Sequence, residues 1–174
     1  DLVAEKLPVA AEDVVVASTG VIGQRLSLDP IAAGMDELVA DLGNNGDHAA
    51  EAIMTTDTVK KEVAVSFQVG GVTCKIGGIA KGSGMIHPNM ATMLVFITTD
   101  CAISGKMLKK ALSTDIQTTF NMVSVDGDTS TNDMVTVLAN GMAENELITD
   151  DGEDFKIFMQ ALNTVCVNLC RKIA

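Results

Sequence analysis

Glu62-Val63-Ala64-Val65-Ser66-Phe67-Gln68-Val69 alternates apolar with polar or small residues, and Gly70-Gly71 breaks it before Val72-Thr73-Cys74-Lys75-Ile76-Gly77-Gly78-Ile79-Ala80. A two-residue period puts Val63, Val65, Phe67 and Val69 on one side of an extended chain, the pattern of a half-buried strand. Two consecutive glycines accept the positive φ angles of a tight hairpin turn, so the second run is expected to return as the partner strand. Further on, Met93 to Thr98 is a continuous apolar stretch, expected to be a strand covered on both faces.

Helical signals flank this hairpin. Asp29-Pro30 predicts a helix start, Asp capping and Pro fitting the first turn. Ile31, Met35, Leu38, Val39 and Leu42 then keep helical spacing up to Gly43. A second short helix is expected from Asp47 towards Met54, and Asp13 to Ala17 reads as a short β-like run. Ser104 predicts the cap of a helix reaching about Asn121, with Leu108, Leu112 and Ile116 on one face. Met134 to Leu138 reads as another strand. A last helix opens at Asp150 or Asp151 and carries Phe155, Phe158, Leu162, Val165 and Leu169. Helices mixed with a hairpin do not make a strict β-α-β alternation. The expected fold class is α+β, a layered sheet covered by helices. No repeat, low-complexity segment or internal linker divides the chain.

Length and composition bound the rest. A chain of 174 residues suits one domain, and 47% hydrophobic residues suffice for a sizeable core. Without Trp or Tyr that core must be aliphatic, with the ten Met residues as gap-fillers. The net charge of −11 and the lack of a basic patch argue against nucleic acid. There is no signal peptide and no apolar run long enough to cross a membrane, so no membrane association is expected. Cys74, Cys101, Cys166 and Cys170 form no C-x-x-C pair, and His48 and His87 have no ligand-spaced partner. Free thiols, no metal site and a reducing, cytoplasmic compartment are the expectation. The chain starts in a charged stretch and stops within a helical run, and so reads as part of a longer protein.

Five stretches carry chemistry. In Lys81-Gly82-Ser83-Gly84-Met85-Ile86-His87-Pro88-Asn89-Met90-Ala91-Thr92-Met93-Leu94, a Gly-rich turn enters the apolar strand with Ala91 directly before Thr92. A backbone cut between them leaves Thr92 with a free α-amine beside its own hydroxyl. The amine then takes the proton as the hydroxyl attacks, and its ordinary pKa of about 7.7–8.0 lies close to working pH. The plainer reading is a β-branched residue entering a core strand. Lys81 between Gly77-Gly78 and Gly82 offers a cation for a carboxylate, or is a solvated surface Lys; it is not a Walker loop, because Gly82 follows it. Ser18-Thr19-Gly20 offers a hydroxyl and a backbone N–H for an oxyanion, or Gly20 simply serves a turn. Thr55-Thr56-Asp57-Thr58 offers polar groups to an amino-acid substrate, or closes a helix end. Val123 to Asp133 crowds acids with hydroxyls. It reads as an Asx-type turn, or as a phosphohydrolase start in which Asp126 attacks phosphorus, with Asp128, beside Mg²⁺.

These stretches, in this order and spacing, closely resemble the ornithine acetyltransferase (glutamate N-acetyltransferase) family of arginine biosynthesis. The resemblance is carried by Val14 to Gly23, Ala52 to Thr58, Gly78 to Met85, Ile86 to Leu94 and Val125 to Asp133. It covers nearly the whole chain, and the Lys81-to-Leu94 block is its most specific part.

The resemblance implies self-cleavage between Ala91 and Thr92, with residues 1–91 ending an α chain and residues 92–174 starting a β chain. Thr92 would then carry acetyl from N2-acetylornithine to glutamate by ping-pong transfer. It implies Thr19 and Gly20 as oxyanion stabilisers, and Thr55, Lys81 and Thr92 as substrate-binding residues. No metal and no bound organic cofactor are implied, and acetyl-CoA is left open as a second donor. The implied assembly is two α and two β chains, and the implied fold is a layered one related to self-processing aminopeptidases of the DmpA type. Family members are longer, so the chain is expected to be the central part of a larger acetyltransferase. The rival readings are the phosphohydrolase using Asp126 and Asp128, and an acidic interaction domain without catalysis.

Overall fold

The hairpin forms as its alternation predicts. In the computed structural model, β1 (Lys61–Val69) pairs antiparallel with β2 (Val72–Lys81), with Val69 opposite Val72 and Lys61 opposite Ala80. Gly70 and Gly71 join them at φ values of 55° and 83°, which an L side chain adopts only under strain. The structure describes residues 2–21, 23–83, 93–124 and 130–174.

The chain divides into two compact units, Asp1–His48 and Ala49–Ala174. The second holds a four-stranded sheet in the order β1-β2-β3-β4. β3 (Leu94–Thr99) runs antiparallel to β2, and β4 (Met134–Ala139) runs parallel to β3. A parallel pair needs a crossover, which includes α3 (Gly105–Asp115). The sheet is therefore a hairpin fused to one β-α-β unit, an α+β arrangement as expected.

Period two places Val63, Val65, Phe67 and Val69 on the same face as Cys74, Ile76, Gly78 and Ala80, and as Val95, Ile97 and Val137. These residues pack with α4 (Glu153–Ile173), which supplies Phe155, Phe158, Leu162, Val165 and Leu169 to the core as its spacing predicts. Phe67 and Phe158 meet edge to face, with centroids 6.1 Å apart. Acidic Glu153 and Asp154 open α4 and basic Arg171 and Lys172 close it, which suits the helix dipole.

Several expectations are corrected. α3 ends at Asp115 instead of reaching Asn121. The Thr119 hydroxyl donates to the Asp115 carbonyl at 2.9 Å, taking an acceptor a longer helix would have used. Its buried stripe is Met107, Ala111 and Asp115, with Leu108 and Ile116 only partly covered. β3 is not covered throughout, because Thr98 is exposed and Phe96 is half-buried. Methionine is not uniformly a core residue either. Met93 and Met107 are buried, but Met122 and Met142 are exposed.

The first unit contains α1 (Asp29–Ala40), a short 3-10 turn at Ala11–Asp13, and the Lys6–Asp36 ion pair at 2.6 Å. α1 starts one residue earlier than expected, with Leu28 as N-cap and the Asp29 N–H on Ser27 Oγ at 3.1 Å. Asp13 to Ala17 is a further correction, since it forms no strand. Strand propensity needs a paired neighbour, and none is present among the described residues. α2 (Gly46–Ala52) follows α1 and precedes β1 in the chain. Among the described residues no helix is long and apolar enough to cross a membrane.

Candidate functional site: a buried cation pair on one carboxylate

The open end of the hairpin gathers the buried charges. β1 begins with Lys61 and β2 ends with Lys81, and each side chain is 4% exposed. Asp57, in the loop between α2 and β1, has a fully buried carboxylate. Its Oδ1 accepts from Lys61 Nζ at 2.5 Å and from the Gly82 N–H at 2.8 Å. Its Oδ2 accepts from the Thr55 N–H at 3.2 Å. Lys81 Nζ stands 4.0 Å from the same Oδ2, the outer limit of an ion pair. A second tie joins these segments, Thr56 Oγ1 to Ser83 Oγ at 2.6 Å.

Burial works to raise the Asp57 pKa, but the hydrogen bonds from Lys61, Gly82 and Thr55 and the Lys61 charge outweigh it. The net shift is downward, so the group stays ionised at neutral pH. Two ammonium groups then share one carboxylate. Buried charges are stable only when paired, so this cluster is one negative charge short among the described residues. Its chemistry suits the carboxylate of a small ligand.

A second arrangement lies at the start of β3. The Met93 N–H donates to Asp133 Oδ1 at 2.8 Å, and Met93 O accepts from the Met134 N–H at 2.9 Å. Both backbone groups of Met93, the residue after Thr92, are therefore held. Asp133 Oδ2 is buried without a hydrogen-bond partner among the described residues. Burial raises the Asp133 pKa, only partly offset by the Met93 bond.

Of the residues singled out by sequence, Thr55 and Lys81 are brought together on Asp57. Thr19 and Gly20 lie in the first unit, outside any regular element, with Thr19 half-buried and Gly20 exposed. Ala91 and Thr92 lie outside the described residues, as do Asp126, Asp128 and His87. His48 is exposed, 3.8 Å from Asp41. Sequence reasoning gave no role to Lys61 or Asp133, and treated Asp57 only as one of a polar group. Asp57 and Lys61 are four residues apart, but outside a helix that spacing carries no signal. Asp133 closes an acidic run in which nothing marks one carboxylate above the others.

The fold and the site define a mixed α+β protein with two buried lysines converging on one carboxylate. Comparison with known proteins narrows this class. The chain belongs to the ArgJ family, whose model matches residues 1–174. It is 52% identical over 171 residues to the arginine biosynthesis bifunctional protein ArgJ of Bacillus subtilis, covering 98% of this chain and 42% of that protein. To the protein of the same name from Listeria monocytogenes it is 50% identical over 171 residues, covering 98% of this chain and 43% of that one. The crystal structure of ArgJ from Bacillus halodurans aligns with 45% of this chain and 37% of that one, at 49% identity and a TM-score of 0.44. The chain thus spans about two fifths of the length of the curated relatives it matches.

Proposed function

We propose that this chain is the central part of a glutamate N-acetyltransferase of arginine biosynthesis, acting in the cytoplasm, with Thr92 as its nucleophile. The observation that carries the reading is the match to the ArgJ family over residues 1–174. The buried, incompletely paired Lys81 supports it, because both N2-acetylornithine and glutamate carry a carboxylate for such a cation. The family match favours acyl transfer over phosphohydrolysis by Asp126 and Asp128.

Thr92 Oγ attacks the Ala91 carbonyl carbon, and the acyl group shifts from the Thr92 nitrogen to its oxygen. Water hydrolyses the ester, leaving a carboxylate on Ala91 and a free amine on Thr92. That amine takes the Oγ proton as Oγ attacks the acetyl carbonyl of N2-acetylornithine. Thr19 and the Gly20 N–H stabilise the oxyanion; one such donor is often worth about 3–4 kcal/mol in the transition state. Collapse expels ornithine, whose nitrogen takes the proton back. The glutamate amine then attacks acetyl-Thr92 and leaves as N-acetylglutamate. Thr55 and Lys81 hold the substrate, no metal or bound organic cofactor takes part, and acetyl-CoA is a candidate second donor. The working assembly is two α and two β chains.

The test is the intact mass of the complete gene product beside its Thr92→Ala variant. Two fragments meeting at Ala91-Thr92, with an uncut variant, are the expected result. A single intact wild-type mass removes Thr92 as an N-terminal nucleophile.

A further inference from the structure

We infer that Lys61 is a positioning residue: by occupying the Asp57 carboxylate, it keeps the Lys81 ammonium uncommitted and ready for the carboxylate of the substrate. The inference rests on the proposed role of Lys81 as a substrate ligand.

Asp57 has two oxygens and three close donors. Lys61 Nζ and the Gly82 N–H occupy Oδ1, and the Thr55 N–H occupies Oδ2. Lys81 Nζ stops at 4.0 Å and makes no hydrogen bond to a described residue, although its side chain is 4% exposed. An ammonium has three protons to donate, and at 4.0 Å from Asp57 Oδ2 the Lys81 Nζ is within ion-pair range but beyond hydrogen-bond reach of that oxygen. Both lysines reach Asp57 from the hairpin's open end, Lys61 opposite Ala80 and Lys81 opposite Leu94. One carboxylate neutralises one of them, and the short contact belongs to Lys61. Without the Lys61 charge, Asp57 and Lys81 have only a small gap to close before forming a pair of their own. An incoming carboxylate would then have to break that pair, which weakens binding without touching the nucleophile.

The experiment measures KM and kcat with N2-acetylornithine on the complete, processed protein. Lys61→Met is expected to raise KM about tenfold, the loss of roughly one charge-assisted hydrogen bond. Its kcat should stay within about threefold of wild type, as for a change in ground-state binding. Lys61→Arg keeps the cation on Asp57 and should hold KM near wild type. Adding Asp57→Asn to Lys61→Met removes the competing carboxylate, and should return KM towards wild type. A merely structural Lys61 would lower the unfolding midpoint of Lys61→Met without moving its KM away from that of Lys61→Arg.

A Lys61→Met variant with the KM of Lys61→Arg overturns the inference, and so does a folded double variant no better than Lys61→Met. If the double variant fails to fold, the comparison of Met with Arg decides alone. Lys81→Met separates the two levels. Unchanged KM there removes the substrate role of Lys81 and the inference with it. Raised KM there, with Lys61→Met at wild-type KM, removes the inference alone.

Discussion

Asp57 holds a full negative charge out of water because four donors or cations from three segments converge on it. Burial alone would raise its pKa, and the bonds to Lys61, Gly82 and Thr55 reverse that. A carboxyl group with a folded-state pKa below its unfolded value of about 3.9 stabilises the fold above that pH. The contribution fades as pH falls through the lower, folded-state value. Asp57→Asn should therefore cost on the order of 3–5 kcal/mol at pH 7, the usual loss on breaking one partner from a buried pair. The penalty should shrink steadily below about pH 4. Urea unfolding of wild type and variant at pH 7 and pH 3 checks this, and an equal gap at both values contradicts it. Asp133 has the opposite sign. Its raised pKa means that ionisation, as pH rises, weakens the fold. Sequence marked both residues only as acids near turns. The sign of each shift is a balance set by the fold: for Asp57 the bonds from Lys61, Gly82 and Thr55 outweigh burial, and for Asp133 burial outweighs the Met93 bond.

The elements were more legible than the residues. β1, β2 and α4 were readable because one periodic face meets one core, so local pattern and tertiary burial agree. α3 was not fully readable. A side-chain hydroxyl four residues past Asp115 competes for its carbonyl, and apolar spacing does not report such a contest. Close packing of α4 on the sheet depends on Gly78. A Cβ there would lie 3.0 Å from Ile97 Cγ1, 3.0 Å from the Phe96 carbonyl oxygen and 3.2 Å from Leu169 Cδ1. The carbonyl is backbone and cannot yield. Gly78→Val should cost at least about 1–3 kcal/mol through overpacking. Gly105→Ala, with nothing within 4 Å of its new Cβ, is the matched control; it should be neutral or gain roughly 0.4–1 kcal/mol. Chemical denaturation midpoints test the pair, and a Gly78→Val protein as stable as the control contradicts the packing argument.

Across the molecule, the second unit assembles its core from β1, β2, β3, α3 and α4, and all four cysteines lie inside that core. Burial, the leading cause, pushes the Cys101 and Cys170 thiols up to about 12 and raises those of Cys74 and Cys166 as well. Reaction needs thiolate and access, and the native fold withholds both. At pH 8 a disulfide reagent should leave the native protein unmodified, and labelling should begin only as urea unfolds the unit as a whole. Rapid labelling of one cysteine in the native protein would show that the core opens locally.

The sequence by itself determined the α+β class, the hairpin and its turn, the buried face of α4, and the order of motifs that resembles ornithine acetyltransferases. Each of these rests on neighbours within a few residues or on the linear order itself. Only the tertiary structure decided that β4 lies parallel beside β3. It also decided that Met93 is gripped by Asp133, and that Lys61 and Lys81 share Asp57 with the shorter contact going to Lys61. Those facts depend on which distant segments the sheet brings within 3–4 Å of one another. Side-chain periodicity records which face is buried, but not which buried charge will find which partner.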